Sequence, residues 1–134
     1  HPASNFGKLK STVGSSGATI LPLIEGDTPD PFDLVWLGMG EEGHVASLFP
    51  HMLAEVRPGR AVIATTPIPL PAEAPYPRLS LNRRALAATR ETILVVTGAA
   101  KRTVLEAALG GDERYPVSDI LRGARAPVTI YWSE

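Results

Sequence analysis

The 134-residue chain contains no cysteine. That excludes disulfides, thiolate catalysis and every zinc or iron–sulfur site built on cysteine. It has no apolar run approaching the ~20 residues that span a bilayer. Its opening residues, His1-Pro2-Ala3-Ser4-Asn5, lack the basic-then-apolar pattern of a secretion signal. Neither sign of charge dominates. Thirteen Lys+Arg stand against fourteen Asp+Glu, a formal net charge of −1, so the basic stripe of a dedicated nucleic-acid binder is missing. That balance still admits a local cationic pocket for a small anion. These absences point to a cytoplasmic enzyme domain with no nucleic-acid partner and no membrane partner. No signal for an oligomeric state is present. A chain of this length buries roughly two-thirds of its unfolded surface, and residues 1–134 are read as one domain.

What is plentiful is punctuation: thirteen prolines and twelve glycines cut the chain into short elements. Phe6, Leu9 and Val13 stand at helical spacing and predict a helix over residues 4–13, capped by Ser4 or Asn5. Residues 14–17 read as a turn, 18–24 as extended and 25–31 as a loop. Residues 33–37 are continuously apolar after Asp33, as in a parallel strand covered on both faces. Residues 61–65 and 92–97 share that character, and 128–132 read as a last strand. Arg78-Leu79-Ser80-Leu81 alternates as a half-exposed edge strand does. Helices are predicted over 83–89 with Asn82 as cap, over 99–109 with a Gly110-Gly111 stop, and over 117–121 after Pro116. Residues 67–77, with five prolines, read as an ordered surface loop. Trp36 and Trp132 read as core, and Arg83-Arg84 as a solvated helix face. Strands alternating with helices imply an α/β fold, a three-layer α/β/α arrangement around a mostly parallel, Rossmann-like sheet.

The strand over 33–37 runs straight into Gly38-Met39-Gly40-Glu41-Glu42-Gly43-His44-Val45-Ala46-Ser47-Leu48-Phe49-Pro50. Ligands of open parallel sheets bind beyond the carboxyl ends of the strands. Glycine there permits close backbone approach, and histidine exchanges protons near neutral pH. Gly38, Gly40 and Gly43 also spell a dinucleotide fingerprint, but that motif requires an acidic residue about twenty positions on, at the end of the next strand. Here that strand ends at Thr65-Thr66, and Glu41 and Glu42 would repel a pyrophosphate.

The string Gly38-x-Gly40-x-x-Gly43-His44-x-Ala46-Ser47-Leu48-Phe49-Pro50 closely resembles the signature of the 6-phosphogluconolactonases, the sugar-phosphate lactonases of the oxidative pentose phosphate pathway. That signature usually has Asp where this chain has Glu42, a change that keeps the charge. The related glucosamine-6-phosphate deaminases share the Gly-His turn but continue with a Phe-Asn-Glu-Pro-like run. Asn5, Pro77-Arg78-Leu79-Ser80-Leu81, Gly98-Ala99-Ala100-Lys101, Tyr115-Pro116-Val117-Ser118 and the segment Val128 to Trp132 resemble further family motifs in the same order. The family's amino-terminal phosphate loop and Asp-Glu-Arg motif do not precede His1, and Asp112-Glu113-Arg114 stands in the wrong place to supply the latter. The chain thus looks like the carboxyl-terminal part of such an enzyme.

The resemblance implies hydrolysis of 6-phospho-D-glucono-1,5-lactone to 6-phosphogluconate, with a small-molecule sugar-phosphate lactone as the partner and no cofactor or metal. A δ-lactone is an activated ester that needs a deprotonated water and a steadied oxyanion. No covalent nucleophile is required, and no Gly-x-Ser-x-Gly elbow is present. His44 is expected to be the general base, with Glu42 placed to orient the imidazole or raise its pKa. Backbone N–H groups of the turn, at Gly40 and Gly43, and of a helix start after it are expected to steady the oxyanion. Lys101, in the first turn of a helix, opposes the helix dipole. An anion held there by Gly98 and Lys101 explains that placement, and Arg78 is a second candidate phosphate contact. His51 follows His44 by seven residues, too few ligands for a metal site. Ser47 reads as a helix-start hydrogen-bonder. The alternatives are an amino-sugar-phosphate isomerase/deaminase and a non-catalytic sugar-phosphate-binding remnant.

Overall fold

The computed structural model describes residues 4–52, 60–72 and 75–134. The Ser4 hydroxyl accepts the Gly7 N–H and starts α1, Asn5–Val13. A 3-10 turn, Gly14–Ser16, ends on Gly17 at φ 81°. No residue of α1 is buried. Residues 18–24, expected to be extended, form no strand; Leu21, Leu23 and Ile24 are exposed, so no apolar face holds them in a ladder.

The central sheet has three parallel strands in the order β1 (Val35–Gly38), β4 (Thr92–Thr97), β5 (Val128–Ser133). Side chains alternate across it. Val35 and Leu37 of β1 and Leu94 and Val96 of β4 point to one face. That face is covered by α2 (Arg83–Ala87) through Leu86, α3 (Ala99–Leu109) through Leu105 and Ala108, and α4 (Pro116–Gly123) through Val117 and Ile120. Val45 and Val117 are fully buried in this cluster, and each contributes about 1.5–3 kcal/mol.

The other face corrects the reading of residues 33–37 as covered on both sides. Trp36, in register with Ile93 and Thr129, is 70% exposed. Tyr131 on the same face is 58% exposed. Among the described residues, the helices that bury the sheet, α2, α3 and α4, pack on the opposite face. Trp132, also expected in the core, lies at the end of β5. Its Nε1 donates to Gly98 O at 3.3 Å, and Arg102 sits over its ring at 4.7 Å. The indole N–H has a partner at the turn that the core does not offer.

Residues 61–65 were expected to behave like a buried parallel strand. Instead β2 (Val62–Thr65) pairs antiparallel with β3 (Arg78–Leu81) in a separate two-stranded sheet. Ala64 is exposed, and antiparallel ribbons tolerate one open face. Asn82 locks this ribbon to α2. Its Oδ1 accepts Ala85 N–H at 2.8 Å, its Nδ2 donates to Arg60 O at 2.8 Å, and its own N–H reaches Ala61 O. Arg83 is not on a solvated face; it pairs with Asp119 of α4 at 2.5 Å. Among the described residues no helix is long and apolar enough to cross a membrane. The proline-rich loop carries a cis Ile68–Pro69 bond, and residues 73–74 of it lie outside the described residues.

Candidate active site

β1 ends at Gly38, paired with Val95 of β4, and the glycine turn follows at the carboxyl end of the sheet. The turn is closed by its own backbone: Gly40 N–H donates to His44 O, and Gly43 N–H donates to Gly40 O, both at 3.0 Å. Gly43 adopts φ 74°, and a Cβ on it would meet the Tyr115 side chain at 2.8 Å. Val117 N–H then donates to Gly43 O, so the start of α4 supports the turn from behind. A Cβ on Gly40 would come within 2.0 Å of the His44 ring. The glycines fold the imidazole down onto the backbone.

His44 Nδ1 lies 3.1 Å from Glu42 Oε1. The contact has the distance of a hydrogen bond but not the alignment, and Nδ1 is otherwise buried without a partner. The Glu42 side chain is half exposed, so its carboxylate has room to turn onto Nδ1.

Around His44 the site extends to the ribbon. The Phe49 ring lies 4.7 Å from the His44 ring, and Arg78 sits 5.4 Å from the Phe49 centroid. Ser80, buried in β3, accepts the Ser47 N–H at 3.1 Å and donates to Leu81 O. β3 therefore turns its polar face, Arg78 and Ser80, toward the histidine turn, while Leu79 is exposed. Residues 45–52 form turns and isolated bridges, not a helix. The helix start expected to steady an oxyanion is absent there, and Ser47 is held by Ser80 instead. The N–H groups of Gly40 and Gly43 are engaged inside the turn, where they close it.

One strand over, β4 leads into Gly98, at φ 95°, and then α3. Gly98 N–H donates to Ser133 O at 2.9 Å. Nothing caps α3 with a side chain, so the amides of its first turn, where Lys101 stands, lack intrahelical partners. The structure thus places His44, Glu42, Gly40, Gly43, Gly98 and Lys101 along one end of the sheet, with Arg78 joined through Phe49. A cavity of about 360 Å³ lies elsewhere, lined by Phe32, Arg60, Asn82 and Ala88 among others, and contains none of these residues. It sits at the amino ends of β1 and β4, the wrong end of a parallel sheet for chemistry.

Phe49, Ser80, Tyr115 and Thr65 were not singled out from sequence. Phe49 and Ser80 belong to motifs in which the histidine and the arginine carry the recognisable chemistry, and Tyr115 immediately precedes a helix-starting proline. Thr65, in register with Arg78, is 2% exposed with Oγ1 unpartnered; no periodicity signals that. No group of three or more metal-ligating side chains occurs among the described residues.

A parallel α/β sheet with a glycine-histidine turn at its carboxyl end defines a Rossmann-like α/β class. Within that class the family is definite. The model for glucosamine-6-phosphate isomerases/6-phosphogluconolactonase matches residues 1–132, and the chain belongs to that family. A 6-phosphogluconolactonase of Caulobacter vibrioides is 44% identical over 110 residues, covering 78% of this chain and 45% of that protein. One from Mycobacterium tuberculosis is 39% identical over 107 residues, covering 80% and 41%. The crystal structure of a 6-phosphogluconolactonase from Shewanella baltica superposes with a TM-score of 0.67 at 33% identity, covering 79% of this chain and 46% of that one. A monomeric glucosamine-6-phosphate deaminase shares the fold at 18% identity and a TM-score of 0.59. The chain spans somewhat less than half the length of these lactonases.

Proposed function

We propose that this chain carries the hydrolytic centre of a 6-phosphogluconolactonase, converting 6-phospho-D-glucono-1,5-lactone and water to 6-phosphogluconate in the cytoplasm. The observation that carries the reading is His44, folded over Gly40 with Nδ1 3.1 Å from the Glu42 carboxylate at the carboxyl end of the sheet. The lactonase names of relatives at 39–44% identity support it.

In this mechanism a water adds to the lactone carbonyl carbon while His44 Nε2 takes its proton. The bond between that carbon and the ring oxygen then breaks, and the imidazolium returns the proton to the departing oxygen. Glu42 holds the Nδ1 proton and stabilises the imidazolium. Lys101, with the open amides of the first turn of α3, grips the phosphate, and Arg78 is the second cation. The reaction needs no redox step and no electron sink, so no organic cofactor enters it.

Product analysis tests the reading. The chain should accelerate opening of the phosphorylated lactone above its spontaneous rate and release no ammonia from glucosamine 6-phosphate. Ammonia release would shift the assignment to the deaminase branch. Binding of 6-phosphogluconate without any acceleration would make the chain a non-catalytic binder.

A further inference from the structure

His44 and Arg78 come from different parts of the fold, yet one side chain touches both. The Phe49 ring is 4.7 Å from the His44 ring, tilted by 36°. The Arg78 guanidinium lies 5.4 Å from the same ring's centre. Phe49 is only 5% exposed, so it has little freedom. Its second ring neighbour is His51, near-parallel at 6.2 Å. His51 Nε2 in turn accepts the Ile68 N–H at 3.1 Å. A chain of contacts thus runs from the proline-rich loop through two rings to the imidazole.

We propose that Phe49 is a positioning residue, whose ring sets the His44 imidazole against Gly40 and holds the Arg78 guanidinium beside it. The proton acceptor and a phosphate-binding cation then meet one substrate at a fixed spacing. An aromatic ring suits this task where an aliphatic side chain does not. Its flat face limits rotation of the neighbouring imidazole, and its negative face attracts the guanidinium. The consequence for substrate rests on the lactonase reading; the positioning of the imidazole does not.

Phe49→Leu keeps an apolar side chain in place and removes the flat face. Leu86→Val in α2 serves as a packing control away from the turn. With the phosphorylated lactone, Phe49→Leu should lower kcat about 10- to 100-fold, the penalty of a misplaced base, and also raise KM. Phe49→Tyr, which keeps the ring, should recover most of both, and Leu86→Val should lower thermal stability without changing either. Wild-type kcat and KM in Phe49→Leu, or the same losses in Leu86→Val, would overturn the proposal. A second readout is independent of turnover. The nuclear Overhauser contact between His44 Hε1 and the Gly40 α-protons should be strong in the wild type and in Phe49→Tyr, and lost in Phe49→Leu. Its persistence in Phe49→Leu overturns the positioning role even if the wild type proves inactive, a result that would instead defeat the lactonase reading.

Discussion

The His44 imidazole occupies the space that a side chain at Gly40 would need: a methyl group there would lie 2.0 Å from Cε1 and 2.2 Å from Nδ1. Gly40 is therefore required by the histidine as much as by the turn. Gly40→Ala should push the ring off its seat and away from Glu42. Lactone hydrolysis should fall about 10- to 100-fold, and overpacking should cost about 1–3 kcal/mol in urea denaturation. Unchanged kinetics would mean that the ring has another working position.

Asn82 should matter for stability and not for chemistry. It caps α2 and satisfies the Arg60 carbonyl while almost fully buried. Asn82→Ala removes the cap and leaves that carbonyl without its partner, a loss of about 1–3 kcal/mol. Denaturation midpoints measure it. The KM for the lactone should not move, because Asn82 lies at the end of the β2–β3 ribbon away from Arg78.

Asp112 supplies a pH signature. The Arg114 guanidinium hydrogen-bonds its carboxylate, and the Arg114 N–H adds a second bond. Together they lower its pKa from 3.8 to about 2. A carboxylate depressed in the folded state stabilises the fold above its unfolded pKa, and that contribution disappears as pH falls through the folded value. Wild type should thus exceed Asp112→Asn in stability above about pH 4 and converge with it toward about pH 2. Solvent around the pair keeps the difference small. Denaturation of both proteins across that range checks the sign.

Much of this was legible in the residues themselves. The Thr92–Thr97 strand and the Ala99–Leu109 helix were readable to their ends, because an apolar run and a helical stripe are each bounded by glycine. The histidine turn was readable from its glycines. What sequence could not supply was which partners a short apolar run would find. Val62–Thr65 looks like a parallel strand and becomes half of an antiparallel ribbon. Trp36 looks like core and lies on an uncovered face, since burial depends on what packs above a strand. The polar face of Arg78 and Ser80 points inward because the turn supplies hydrogen-bond and ring partners there, a pairing between distant segments that local alternation does not encode.

Proton transfer at His44 is the central step, and substitution of that residue tests it most directly. His44→Asn, shown by circular dichroism and thermal melting to keep the fold, should lose about 10²- to 10⁴-fold in catalysed opening of the phosphorylated lactone, the usual contribution of a general base, while still binding 6-phosphogluconate. Hydrolysis at the wild-type rate in a folded His44→Asn protein would contradict it.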